Sequence, residues 1–104
     1  MAETVVLCAA DAVVEGEIKQ APLPDGTMAA LYRVDGAVYA TADMCTHGAA
    51  SLSEEGIING KIVGCTFHFG TFDVTTGEPT GMPCEIPLKT YPVATIDGKV
   101  QIEV

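Results

Sequence analysis

Basic residues are scarce in this sequence, and their scarcity excludes one large class of partners. The 104 residues include 5 lysines and arginines against 14 acidic residues, so the net charge is −9 with neutral histidines. A surface with this charge balance repels phosphate backbones and anionic membranes. We therefore expect no nucleic acid and no membrane among the partners, and the acidic surface favours a protein partner with a basic patch.

Long hydrophobic runs, repeats and low-complexity tracts are also missing. The N-terminal stretch MAETVVLCAAD has a short apolar run without a basic segment before it, unlike a signal peptide or a membrane span. The length fits a single domain over residues 1–104 with one modest core. We expect a cytoplasmic protein, whose four cysteines stay reduced and are available for metal or cluster binding.

No stretch shows sustained helical periodicity, whereas turn signals between alternating segments are frequent. Asp-Gly and Asn-Gly pairs supply the positive φ angles of two-residue hairpin turns, and they occur at residues 35–36, 59–60 and 97–98. After the last pair, Val100, Ile102 and Val104 alternate with polar residues, as in a half-buried strand. Further strands are predicted at 5–8, 17–21 and 71–74, and a short turn of helix at 52–55.

Four of the six prolines fall within the stretch GEPTGMPCEIPLKTYP, residues 77–92. Because proline donates no backbone hydrogen bond, this stretch is predicted to be an ordered loop rather than part of a sheet. The number and spacing of the short strands predict an all-β domain, an antiparallel β-sandwich or barrel.

Only two histidines are present, and each lies beside a cysteine. Cys45-x-His47 is followed, after seventeen residues, by Cys65-x2-His68. Each pair comes after a predicted hairpin strand, so a sheet can bring the two loops face to face. Two thiolates and two imidazoles suit iron, copper or zinc rather than magnesium or calcium. The pattern predicts one metal site made by these four side chains.

The sequence around the four side chains resembles that of Rieske ferredoxins. The two boxes of that family, C-x-H and C-x2-H, stand here as CTHG (45–48) and CTFHFG (65–70), with similar flanks in LYRVDGAVYAT and GTFDVTTGEP. The resemblance implies one [2Fe-2S] cluster per chain, with Cys45 and Cys65 on one iron and His47 and His68 on the other. It also implies a small cluster-binding subdomain, roughly residues 43–84, formed by two hairpin loops.

The resemblance is strongest to the ferredoxin component of bacterial aromatic-ring-hydroxylating dioxygenases. It implies a one-electron carrier rather than an enzyme, which accepts an electron from a flavin-containing NADH-dependent reductase and reduces a terminal oxygenase. A monomer that forms short-lived complexes suits this role. The expected contact surface comprises loop residues 46–50 and 66–71.

Two alternatives stay open at this point. A structural zinc module would use the same Cys2His2 set, although such modules usually have C-x2-4-C spacing. A Rieske-type small subunit of a larger reductase, such as nitrite reductase, would carry the same two boxes.

The residues beside the boxes bear on the reduction potential. In high-potential Rieske proteins, an extra cysteine near each box forms a disulfide that braces the cluster. The matching segments here, HGAAS and HFGTF, contain no further cysteine, so the resemblance implies no such disulfide in this chain. With fewer hydrogen-bond donors to the cluster sulfides than the high-potential proteins have, we expect a reduction potential at the low end of the Rieske range of about −150 to +300 mV. Thr71 is one candidate hydroxyl donor. Cys8 and Cys84 are expected to be inert thiols, because the cluster is already fully ligated.

Overall fold

The computed structural model describes residues 4–24, 26–44, 51–65, 70–81 and 88–103. A 3-10 turn at Ala10–Ala12 and one short helix, α1 (Leu52–Glu55), accompany the strands. The strands in chain order are β1 (Thr4–Ala9), β2 (Lys19–Pro22), β3 (Met28–Val34), β4 (Ala37–Ala42), β5 (Gly56–Asn59), β6 (Ile62–Cys65), β7 (Thr71–Asp73), β8 (Pro79–Gly81), β9 (Thr90–Tyr91), β10 (Val93–Ile96) and β11 (Lys99–Glu103). The prediction of an all-β domain is confirmed.

The described strands form three antiparallel sheets. Their strand orders are β1-β11-β10, β2-β3-β4-β9 and β5-β6-β7-β8. The third sheet is a simple meander, since each strand pairs with the next one along the chain. It lies within the range 43–84 that was predicted for a cluster-binding subdomain, and the subdomain itself stays a prediction.

Strand β3 forms the centre of the packing, because its two faces belong to two different cores. Ala29 and Leu31 on one face pack with residues of β11, and Ala30 and Tyr32 on the other face pack with residues of β6 and β7. All four are fully buried. An uninterrupted apolar segment such as MAALY suits a strand that is covered on both sides. The middle sheet, β2-β3-β4-β9, therefore lies between the other two and connects the β5–β8 meander to the rest of the described chain.

Two of the three predicted hairpin turns are present as predicted. Asp35 and Asp97 adopt φ angles of 49° and 53°, and the glycines that follow have φ angles of 84° and 75°. Positive φ at both central positions defines a type I′ turn, which suits the twist of the flanking strands. In β11, Val100 and Ile102 are buried while Lys99 and Glu103 are exposed, as the alternation predicted.

The hairpin turn that was predicted at residues 59–60 is shifted by one residue. Asn59 pairs with Ile62, so the two central residues are Gly60 and Lys61 rather than Asn59 and Gly60. Gly60 has a φ angle of 62°, which is the requirement of the first central position in a type II′ turn. Gly60 suits the predicted turn, in which it would be the second central residue, and also the observed turn, in which it is the first. The register in which β5 pairs with β6 decides which of the two turns forms.

The prediction that residues 77–92 form only a loop is wrong at both ends. β8 begins at Pro79, whose neighbour in the sheet is Phe72, and β9 pairs with β4 through Thr90 and Tyr91. Within the described strands, β8 is an edge strand, where a missing backbone donor is tolerated. Residues 82–87, which include Cys84, lie outside the described residues.

The helices of the described part of the chain are α1 and the short 3-10 turn. Neither has the length or the hydrophobicity needed to cross a bilayer.

Candidate iron–sulfur site

Three of the four predicted ligands lie on two loops whose ends are described, and the fourth, Cys65, directly precedes the second loop. Cys45, His47 and His68 fall outside the described residues, and Cys65 is described only as the last backbone position of β6. The structure therefore describes the segments on either side of the two loops. We call residues 45–50 the first loop and residues 66–69 the second loop.

Backbone hydrogen bonds hold the two ends of the first loop together. Met44 and Ser51 form an isolated antiparallel bridge, and the Leu52 amide donates to the Asp43 carbonyl oxygen at 2.7 Å. The Asp43 amide in turn donates to the Met28 carbonyl oxygen of β3 at 3.1 Å. The loop that carries Cys45 and His47 thus begins and ends at one point on the middle sheet.

The Asp43 side chain reinforces this junction. Only 4% of the residue is exposed, and its carboxylate accepts three hydrogen bonds. The donors are Gln20 Nε2 at 3.0 Å, Ser51 Oγ at 2.5 Å and the Ser53 amide at 2.8 Å. A buried carboxylate is tolerated when its oxygens are satisfied in this way. Ser51 also caps α1, since its Oγ accepts from the Glu54 amide at 3.4 Å.

Strand β4, which leads into the first loop, is held by a buried hydroxyl pair. Tyr32 Oη lies 2.8 Å from Thr41 Oγ1, and Thr41 Oγ1 donates to the Ala42 carbonyl oxygen at 3.0 Å. Because the single Thr41 hydrogen is used in that bond, Tyr32 is the donor in the pair. Burial raises the pKa of Tyr32 well above its usual range, so the phenol stays protonated.

The second loop connects β6 to β7, two neighbouring strands of the meander. Gly64 of β6 pairs with Thr71 of β7, and this is the last pair between the two strands before the loop. On the side of β6 that faces β5, Cys65 pairs with Gly56. A Cβ atom on Gly56 would overlap the Leu52 carbonyl oxygen, so only glycine allows β5 to start so close to α1. The backbone of the second predicted cysteine is therefore held by its pairing with β5, one residue beyond the last pair between β6 and β7.

Thr71 was predicted to be a hydroxyl donor near the cluster. In the structure, Thr71 Oγ1 lies 2.8 Å from Thr80 Oγ1, in an exposed hydrogen bond between β7 and β8. Either oxygen can be the donor, and the pair connects two strands at the end of the meander nearest the second loop.

Asp73 organises the opposite end of strand β7. Its Oδ1 accepts from the Thr75 amide at 2.8 Å and from Thr75 Oγ1 at 2.6 Å, and Lys61 Nζ lies 3.4 Å from Oδ2. The Thr75 hydroxyl is the main reason that the pKa of Asp73 lies below its ordinary value of 3.8, with burial opposing and Lys61 adding to the effect.

Replacing Thr75 with valine is expected to destabilise the protein by about 1 kcal/mol at neutral pH, because a hydrogen bond to a carboxylate is lost. Because the pKa of Asp73 is lower in the folded protein than in the unfolded chain, the ionised carboxylate stabilises the fold at pH values above the unfolded pKa. This stabilisation is lost as the pH falls through the folded pKa. The difference in melting temperature from wild type should therefore narrow as the pH falls below the ordinary aspartate value of about 3.8. Thr76→Val in the same turn is the control, and an equal acid dependence in both variants would contradict this role of Thr75.

A family model of the Rieske [2Fe-2S] domain matches residues 3–92, which span both boxes and all the strands up to β9. The chain belongs to the Rieske family. The predicted resemblance is thereby confirmed, and the family's cofactor is one Rieske [2Fe-2S] cluster.

Similar proteins narrow the relationship within the Rieske family. The ferredoxin component of the p-cumate 2,3-dioxygenase system of Pseudomonas putida is 47% identical over 104 residues, which cover 100% of this chain and 88% of that protein. The structure of a Sphingomonas yanoikuyae B1 ferredoxin has a TM-score of 0.92 and 41% identity, over 98% of this chain and 99% of its own. A complex of reduced oxygenase and oxidized ferredoxin in carbazole 1,9a-dioxygenase matches with a TM-score of 0.88 and 40% identity, over 95% and 91% of the two chains.

The donor set of this Rieske chain fits the family's cofactor. Cys45, His47, Cys65 and His68 supply two thiolates and two imidazoles, the combination that a Rieske centre uses. Cys65 ends β6, and the loops that carry the other three residues begin and end beside paired strand positions. The assignment of these four residues as ligands stays a prediction.

Reasoning from the sequence missed the residues that hold the first loop, namely Asp43 and Gln20. Gln20 and Asp43 are 23 residues apart, and no local pattern connects them. A signal for Ser51 was present, since Ser51 and Glu54 match the S-x-x-E motif of a helix start. Met44, which directly precedes the first loop and is 55% exposed, was also overlooked.

Proposed function

We propose that this Rieske protein is the one-electron carrier of an aromatic-ring dioxygenase system. It accepts an electron from a flavin-containing NADH-dependent reductase and delivers it to the terminal oxygenase. The observation that carries the proposal is the 47% identity, over the whole chain, to a protein named as the ferredoxin component of such a system. The relative of known structure that forms a complex with its oxygenase supports the choice of acceptor.

The proposed ligands explain why the chain suits this task. Cys45 and Cys65 contribute two negative charges, whereas His47 and His68 bind as neutral imidazoles, so the ligands balance a core of two ferric ions and two sulfides. A bound [2Fe-2S] cluster then supplies reversible one-electron chemistry between a neutral and a singly negative state. Four thiolates would make each state more negative by two charges and would oppose electron uptake in a medium of low dielectric.

The proposed contact surface for both partners surrounds the two loops. The exposed Met44 side chain next to the first loop offers an apolar contact of the kind found at protein interfaces. Glu54, exposed on α1 just after the same loop, adds a negative charge there. A small interface, below about 1,200 Å², suits a carrier that must dissociate after each transfer.

The net charge of −9 is expected to make electron transfer sensitive to salt. Raising the ionic strength from low to physiological values should slow bimolecular reduction of the oxygenase severalfold, because screening removes long-range steering toward a basic patch. Stopped-flow measurement of the second-order rate constant tests this. A rate constant that does not depend on salt would show that the acidic surface has no steering role.

The function itself is tested by spectroscopy and reconstitution. The dithionite-reduced protein should give a rhombic low-temperature EPR signal with an unusually low average g value, and it should restore electron flow from reductase to oxygenase. One zinc per chain without acid-labile sulfide would identify a zinc module instead. Stable co-purification with a large catalytic subunit would identify a reductase subunit.

Two further parts of the proposal concern the state of the protein in the cell. We propose a monomer in the cytoplasm, where reduced thiols are available for cluster assembly. Analytical ultracentrifugation of the purified holoprotein and cell fractionation test these two statements.

A further inference from the structure

Among the described residues, Asp43 is the one charged residue that is buried. Its neighbours come from separate parts of the fold, since Gln20 belongs to β2 while Ser51 and Ser53 lie beyond the first loop. One carboxylate therefore binds to the middle sheet on one side and to the far end of the first loop on the other.

The directions of these hydrogen bonds follow from the chemistry of the groups. The Gln20 amide nitrogen and the Ser53 backbone amide are donors only, and both face the Asp43 oxygens. The Ser51 hydroxyl hydrogen is directed to Asp43 Oδ2, so Ser51 Oγ accepts from Ser53 Oγ at 3.0 Å and from the Glu54 amide. Because Gln20 Nε2 and the Ser53 amide can only donate, both Asp43 oxygens accept hydrogen bonds, as a carboxylate does.

Asp43 is also close along the chain to one of the predicted cluster ligands. It precedes Cys45 by two residues, so the two Cα atoms are separated by at most about 7 Å. A charge that is almost fully buried is screened less by solvent and salt than one on the surface. A fixed negative charge at this position disfavours the addition of an electron to a nearby group.

We propose that Asp43 is a positioning residue that fastens both ends of the first loop through Ser51 and Ser53 and whose fixed negative charge lowers the reduction potential of the cluster. The inference rests on the proposed function, because it takes Cys45 as a cluster ligand. Asp43 is not a ligand, yet it would account for a part of the low reduction potential that the sequence predicts.

Asp43→Asn removes the charge and preserves the shape. Its amide oxygen can still accept from the Ser53 amide, while its NH2 group can donate to Ser51 Oγ and to the oxygen of a rotated Gln20 amide. Asp97→Asn is the matched control, since it changes the net charge by the same amount at an exposed turn in another sheet. Asp97 has a φ angle of 53°, which asparagine also adopts readily.

We expect the midpoint potential of Asp43→Asn to shift upward relative to both wild type and Asp97→Asn, with the Rieske EPR signal retained. Equal potentials in Asp43→Asn and Asp97→Asn would overturn the electrostatic part. A wild-type protein without a Rieske EPR signal would instead refute the proposed function, so the two failures are distinguishable.

Ser51 variants test the positioning part and also decide the case in which Asp43→Asn fails to retain the cluster. Ser51→Ala should lose cluster absorbance severalfold faster in the presence of an iron chelator, and its potential should fall, because the carboxylate charge loses a donor. Ser51→Thr keeps the hydroxyl and should restore both properties. Wild-type rates and potentials in Ser51→Ala, or equal defects in the alanine and threonine variants, would overturn the proposal.

Discussion

Replacing His68 with cysteine is expected to lower the reduction potential from the Rieske range toward that of four-cysteine clusters, near about −400 mV. The added thiolate brings a negative charge to a ligand set that carries only two, so the oxidised unit becomes singly negative and the reduced unit doubly negative. Placing an electron on a group that is already negative costs more in a poorly polarisable environment. Redox titration followed by EPR measures the change.

Cys8→Ser is the matched control for the His68 variant. Cys8 is a half-buried free thiol in β1, its pKa is raised by burial, and it lies outside both boxes. Its replacement should leave the potential and the EPR spectrum unchanged. Complete loss of the cluster from a folded His68→Cys protein would also agree with ligation by His68, whereas a fully occupied cluster with unchanged potential would remove His68 from the ligand set.

Replacing Phe72 with alanine is expected to destabilise the fold strongly. Phe72 is completely buried and packs in the core that β3 shares with the meander, one residue after the hairpin pair that closes the second loop. Loss of a buried phenylalanine ring typically costs about 3–5 kcal/mol. Small domains have only about 5–15 kcal/mol in total, so a large fraction of the stability would be lost.

The measurement is thermal unfolding of the holoprotein, followed by circular dichroism and by cluster absorbance. A cost of this size corresponds to a decrease of at least about 12 °C in the melting temperature of a domain of this length. Ile57→Ala is the matched control in the same sheet, since Ile57 is 63% exposed and should change stability by less than about 0.5 kcal/mol. Equal shifts in the two variants would contradict the assignment of Phe72 to the core.

The two experiments also separate the ligands from their support. His68→Cys changes the charge of the cluster environment without altering the described core, whereas Phe72→Ala weakens the core without altering a predicted ligand. We expect the first variant to change the potential far more than the melting temperature and the second to do the reverse. Since Phe72 follows the second loop closely, its removal should also accelerate cluster loss.

The sequence by itself determined the features that depend on a few neighbouring residues. The type I′ turns at Asp35 and Asp97 follow from the positive φ angles that Asp-Gly pairs adopt, and these were predicted correctly. The boxes around Cys45 and Cys65 likewise combine soft ligands at short spacing, and they led to the correct family. Such features can be recognised locally because backbone preference and ligand chemistry belong to the residues themselves.

Only the tertiary structure decided the features that join distant segments. It moved the third turn to Gly60 and Lys61, made Pro79 the start of an edge strand, covered both faces of β3, and brought Gln20 to Asp43. Each of these depends on which strands pair and which faces are covered, and the same short segment is compatible with several outcomes. The ligand boxes could therefore be found by reading along the chain, while the buried carboxylate that holds the first loop became visible only once the sheets were assembled.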